Sequence, residues 1–203
     1  MSNSLPPTPW ASLLLPRLAK DYRVIAFDRP GFGWSDPVAS PEALAPQSAV
    51  LAKAALALGA ERPIVVGHSY GGAVALNWAV TRPDNISALV LLASPSHEWE
   101  GGLPAYYRLT SPPVMGRILR TAIEAWVPES TVRAGTEAVF APDTMPDGYT
   151  DHFGPRMSLR ETSARVNARQ RAAIKSEIRT MIPAYPGISV PVEILHGTAD
   201  ATV

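Results

Sequence analysis

The chain is predicted to be an α/β protein: a mostly parallel sheet with flanking helices and a helical block inserted late in the sequence. Three observations carry this. Apolar runs of strand length occur at residues 22–27 (YRVIAF), 64–66 (IVV), 88–93 (ALVLLA) and 192–195 (VEIL), each running into residues that favour turns. Segments of helical composition separate the early runs, and strand–helix alternation is the pattern of a parallel sheet with helices on both faces. Between Ser96 and Pro186 the alternation stops and the sequence reads as helices alone.

The elements follow in order. Residues 10–18 have apolar side chains at helical spacing, although Pro16 interrupts them. Residues 22–27 end at Asp28 and run into RPGFGWSD, so they read as a buried strand entering a glycine loop. Residues 47–58 are rich in alanine and leucine and stop at Gly59, which suits a helix closed by glycine. A strand at 64–66, a helix of small apolar residues at 71–80 and a strand at 88–93 come next. Helices are expected at about 114–126, 130–140 and 156–182. In the last of these Val166, Ile174, Ile178 and Ile182 form one apolar stripe, and its charged residues read as a solvated outer face. The core is therefore expected at 1–95 and 187–203, and a lid over the strand ends at 96–186. Right-handed crossovers would place the strand C-termini at one edge, where the sites of such sheets form.

Composition narrows the function. The formal net charge is zero, with 18 basic and 18 acidic residues and no block of either sign, so neither nucleic acid nor an anionic membrane is an expected partner. No cysteine is present, which rules out disulfides, thiolate metal sites and a thiol nucleophile, and fits a cytoplasmic setting. The first ten residues lack the basic start and apolar stretch of a signal peptide. No phosphate loop or clustered ligand set points to a cofactor or a metal.

The most specific feature is Gly67-His68-Ser69-Tyr70-Gly71, followed by Gly72, lying between a strand and a helix. A G-x-S-x-G match carries weight in that strand–turn–helix context. The serine must occupy a sharp, strained turn to project its hydroxyl above the sheet, and a Cβ at Gly67 or Gly71 is expected to collide with neighbouring backbone. The helix starts at the serine, so its positive end favours negative charge there. The Tyr70 N–H is the expected oxyanion donor, and such a donor typically lowers a barrier by about 3 kcal/mol.

These segments resemble the α/β-hydrolase fold family, in particular its lid-bearing, esterase-like branch. DRPGFGWSD at 28–36, GHSYGG at 67–72, SALVLLASP at 87–95 and VEILHGTAD at 192–200 match that family's segments in order and spacing. The resemblance implies that Ser69 is the nucleophile and Asp200, after the last strand, the triad acid; Glu98 and Glu100 are weaker candidates for the acid. Ser69 would attack an acyl carbonyl to give an acyl-enzyme that water then cleaves. A serine at this position disfavours relatives with an aspartate nucleophile. Relatives that keep the serine include C–C bond hydrolases, lactonases, amidases and haloperoxidases, and the sequence does not separate them from esterases.

The family's catalytic histidine lies beyond a further strand and helix, and its second oxyanion donor comes from a His-Gly loop near the start. The chain is therefore expected to be truncated at both ends, to lack the catalytic histidine and to be almost inactive alone. Of its four histidines, His68 is expected to pack beside the nucleophile and His196 to be structural, while His97 and His152 are weak candidates for the base. Tyr106, Tyr107, Trp126, Phe140, Tyr149 and Phe153 either line a pocket for a small hydrophobic acyl substrate or hold the lid helices together. The rival reading is a non-catalytic binding protein, or an inactive gene fragment, that keeps the fold. Nothing in the sequence fixes an oligomeric state.

Overall fold

A computed structural model describes residues 9–147, 149 and 160–200. His152, Phe153 and the expected helix start at 156–159 lie outside the described residues.

Three strands, β1 (Ile64–His68), β2 (Ala88–Leu92) and β3 (Val192–Leu195), form one parallel sheet in the order β1-β2-β3. The register pairs Ile64 with Ala88 through to His68 with Leu92, and Leu89 with Val192 through to Leu92 with Leu195. All three strands therefore end at one edge. Helix α3 (Tyr70–Thr81) leaves that edge directly from β1 and runs back along the sheet.

The core forms around α3. Its residues Ala73, Val74, Ala75, Leu76, Trp78 and Ala79 are all buried. A helix that is apolar all round needs partners on every side. Here the sheet supplies one side through Leu89 and Leu91; α2 (Leu44–Ala57) and the long helix α7 (Glu161–Met181) supply the others through Leu44, Ala55, Ile174, Ile178 and Met181. Full burial of one such leucine contributes about 2 kcal/mol.

The remaining α-helices among the described residues are α1 (Pro9–Leu18), α4 (Ala105–Thr110), α5 (Pro113–Trp126) and α6 (Glu129–Glu137). The sequence reading missed α4, a helix of six residues (AYYRLT) that is too short to carry a periodic signal. Helix α4 and α5 pack on α7, where the buried Arg120 donates to the Thr110 carbonyl and pairs with Glu161 at 3.2 Å.

Two expectations need correction. Residues 23–29 form no strand and join no sheet, and Tyr22 and Phe27 are exposed. A strand exists only when its backbone groups find a ladder, and no described neighbour offers one to this run. The second concerns helices on both faces. Leu89 and Leu91 are buried against α3, but on the opposite face Ile64, Val66 and Leu195 are exposed at 47, 43 and 68%.

The charged residues of α7 also do more than face solvent. Glu177 accepts the Leu44 N–H at 2.8 Å and so caps α2, where the helix dipole favours a carboxylate. Arg169 pairs with Glu42 at 2.7 Å. Lys175 donates to the carbonyls of Trp99 and Gly101, and Arg179 makes two hydrogen bonds to the carboxylate of Glu98, at 2.7 and 2.6 Å. These contacts tie α7 to α2 and to the chain leaving β2. No helix among the described residues is long and apolar enough to cross a membrane.

Candidate active site

Ser69 sits between β1 and α3 with φ 49° and ψ −126°, a conformation that L-residues adopt only when the surroundings enforce it. The enforcement is visible. The Ser69 N–H donates to the Leu92 carbonyl at 2.9 Å, which continues the β1–β2 ladder into the turn. The Gly72 N–H donates to the Ser69 carbonyl at 2.8 Å, closing the first turn of α3. As the first residue of α3, Tyr70 carries an N–H with no intrahelical acceptor, and the helix dipole adds positive potential at the same place.

The glycines divide differently from the sequence expectation. A Cβ on Gly67 would lie 2.5 Å from the Gly71 carbonyl oxygen and 2.5 Å from the Gly72 Cα, so a side chain there is excluded. At Gly71 the nearest neighbour would be Arg29 Cδ at 3.9 Å, an ordinary contact. The second close approach falls instead at Gly72, where a Cβ would run into the Ser94 hydroxyl and Cβ. Gly71 points away from the crossing of helix and strand, whereas Gly72 faces it. The pentapeptide motif stops one residue short of the glycine that the packing requires.

Ser94 completes the underside of the turn. Ala93, the residue beside Ser69 in the register, also adopts a positive φ of 42°, and its N–H donates to the Leu195 carbonyl at 2.8 Å. The chain then turns inward, and the buried Ser94 hydroxyl lies 3.2 Å from the Gly67 carbonyl and 3.0 Å from that of Leu92. Two strained non-glycine residues thus stand side by side on the carboxyl edge of the sheet.

Asp200 lies past β3 at that edge. It is half-buried, and its N–H donates to the Gly197 carbonyl at 3.1 Å. Its carboxylate is 3.6 Å from His196 Nε2, a pair charged on both sides only when the imidazole is protonated. It also acts on His68: packing lowers the His68 pKa from its ordinary 6.5, and the Asp200 charge opposes that shift. Asp200 thus interacts with histidines at the ends of both outer strands, with the β2 exit between them.

The other candidates are engaged elsewhere. Glu98 is exposed and bound to Arg179, which draws its carboxyl below the usual range. His97 Nδ1 is 3.1 Å from the Ser96 hydroxyl, and its ring packs edge-on against Tyr185 at 5.7 Å. Glu100 is exposed. The aromatic residues of the insertion pair among themselves: Tyr106 with Tyr107 at 4.9 Å and Phe140 with Tyr149 at 4.7 Å, both edge-on, while Trp126 is 85% exposed. A cavity of about 410 Å³ in the insertion is lined instead by charged residues, among them Arg133, Glu137, Asp143 and Asp147. Among the described residues no group of three or more His, Cys, Asp or Glu is arranged to hold a metal ion.

With a serine forced into a left-handed turn between a parallel strand and a helix, the chain can be placed. It belongs to the alpha/beta hydrolase fold family, whose profile matches residues 3–111. It is 43% identical over 72 residues to the 2-hydroxy-6-oxo-6-phenylhexa-2,4-dienoate hydrolase of Comamonas testosteroni, covering 35% of this chain and 25% of that protein. It is 40% identical over 90 residues to the 2-hydroxymuconate semialdehyde hydrolase of a Pseudomonas species, covering 43% of this chain and 32% of that one. The matched stretches thus span only a quarter to a third of these relatives. Among solved structures, the enol-lactonase from Burkholderia xenovorans superposes with a TM-score of 0.67 at 21% identity, over 97% of this chain and 71% of that one, a likeness of fold.

Proposed function

We propose that this chain carries the nucleophile and the acid of a serine-dependent hydrolase acting on small hydrophobic esters or related acyl compounds. The observation that carries the reading is Ser69 at φ 49°, raised on the edge of the sheet at the N-terminus of α3. A serine is held in such a conformation at a cost of about 1–3 kcal/mol, and strain of this kind gathers at functional sites. The names of the curated relatives, a 2-hydroxy-6-oxo-6-phenylhexa-2,4-dienoate hydrolase and a 2-hydroxymuconate semialdehyde hydrolase, support hydrolysis.

In the proposed chemistry the Ser69 oxygen attacks the acyl carbon while its proton passes to a base. The Tyr70 N–H stabilises the oxyanion, and collapse expels the leaving group with a proton to give an acyl-enzyme and an alcohol. Water then adds to the acyl carbon, releasing the acid and restoring the serine hydroxyl. Asp200 would orient and stabilise the base in its charged form. Among the described histidines His97 is held by Ser96 and Tyr185, whereas His68 and His196 both interact with Asp200 from the outer strands. The helical insertion acts as a lid, and no cofactor takes part.

The test is to incubate the chain with p-nitrophenyl butyrate and follow it by intact-protein mass spectrometry. A butyryl adduct on Ser69, absent from S69A, is the expected result. An adduct that forms elsewhere, or none at all while S69A and the parent chain behave alike, would favour the binding-protein reading instead.

A further inference from the structure

Arg29 holds an unusual position. It follows the unpaired segment 23–28, and its guanidinium lies over two aromatic rings, 4.4 Å from the centroid of Phe32 and 4.6 Å from that of Tyr70. Its Nη1 donates to Gln47 Oε1 at 3.2 Å and to Gln170 Oε1 at 2.8 Å. Among the described residues no carboxylate pairs with it, and burial lowers its pKa to about 10. A partly buried cation without a paired carboxylate is costly, and amide oxygens and ring faces offset that cost when they hold it in place.

The geometry joins segments far apart in sequence. Gln47 belongs to α2 and Gln170 to α7, and both also hold the chain before α2 by donating to the Pro41 carbonyl, at 3.1 and 3.0 Å. Gln47 Nε2 reaches the Tyr70 hydroxyl at 3.3 Å, and Gln170 Nε2 reaches Gln47 Oε1 at 3.3 Å. Tyr70 is thus gripped at its ring by Arg29 and at its hydroxyl by Gln47, while its backbone N–H is one residue from Ser69.

We propose that Arg29 is a positioning residue that passes the placement of the insertion helix α7 to the Tyr70 backbone amide, and so sets the oxyanion donor. The proposal rests on the reading of Tyr70 N–H as that donor. Lysine is a poor substitute here, because its compact ammonium lacks the delocalised planar cation that can contact both rings while donating to the two amide oxygens. Removal of Gln170 lets the guanidinium swing, and the Tyr70 ring, with the first turn of α3, gains freedom.

The experiment is amide hydrogen exchange by NMR on the chain, on Q170L, on R29M and on the double variant. Q170L is expected to raise the exchange rate of the Tyr70 amide about tenfold when Arg29 is present, and to change it less than about twofold in R29M, the mark of coupled partners. Should R29M fail to fold, R29K replaces it under the same criterion. A Tyr70 amide indifferent to Q170L, or equally perturbed by it with and without Arg29, would overturn the proposal. In the ester assay Q170L is expected to slow adduct formation several-fold without altering the half-saturating ester concentration. If the parent chain forms no adduct, the hydrolase reading fails while the exchange data still decide the role of Arg29.

Discussion

The two outer strands of the sheet deliver their C-terminal residues to the same edge in opposite physical states. At the exit of β1, every degree of freedom is taken. Ser69 is held by ladder and helix hydrogen bonds, Gly67 and Gly72 leave no room for a side chain, and Ser94 fills the space beneath. At the exit of β3, all four strand residues are exposed, and Asp200 is placed by a turn and a 3.6 Å approach to His196. Strain of about 1–3 kcal/mol can be stored at Ser69 because the surrounding packing exceeds it. The β3 side could store no comparable strain, so an acid there relies on electrostatics and on whatever covers it.

The largest expected effect tests the packing of the β1 exit. Gly72→Ala and Gly67→Ala should each destabilise the chain by about 3 kcal/mol, since backbone and a buried hydroxyl must move, and urea denaturation midpoints would report it. Gly71→Ala should instead be neutral or stabilising by up to about 1 kcal/mol, because its Cβ meets only an ordinary contact and alanine favours the helix. Equal losses at Gly71 and Gly72 would refute the packing account.

A second contrast lies within the sheet. Leu89→Ala, at a fully buried position, should cost about 3 kcal/mol, whereas Leu195→Ala on exposed β3 should stay within about 0.5 kcal/mol. A large loss at Leu195 would mean that the β3 face is covered in solution, and it would remove the distinction drawn here.

The smallest effect is a pH dependence. The His68 pKa is lower folded than unfolded, so below the ordinary value of 6.5 the unfolded chain binds the extra proton first. The contribution of His68 to stability is therefore complete above pH 6.5 and declines as pH falls through the folded pKa. H68N should flatten that part of the stability–pH curve. Removing the Asp200 charge with D200N should deepen the decline, because Asp200 opposes the shift.

The difference between the exits also explains what the sequence could disclose. The β1 exit was legible because glycines at close approaches leave a local signature, although the motif pointed to Gly71 and the crossing of α3 with Ser94 requires Gly72. The helices other than α4 and three of the four strands follow from the local pattern, but the fourth strand, at 22–27, does not form: the pattern describes the run and not its missing ladder partner. The charges of α7 read as a solvent face because their partners, Glu42, Leu44, Glu98, Trp99 and Gly101, lie more than 70 residues away. Arg29 was hidden for the same reason. Its neighbours Pro30 and Gly31 mark a turn, but nothing local shows that its guanidinium meets Tyr70 and Gln170.

The central claim is that the strained turn presents Ser69 as a nucleophile, and reaction of the intact chain with a fluorophosphonate probe tests it most directly. The account predicts a single phosphonyl adduct that peptide mapping places on Ser69 and that S69A abolishes. Failure to label Ser69 at probe concentrations that modify unrelated surface hydroxyls, in a chain shown by circular dichroism to be folded, would contradict it.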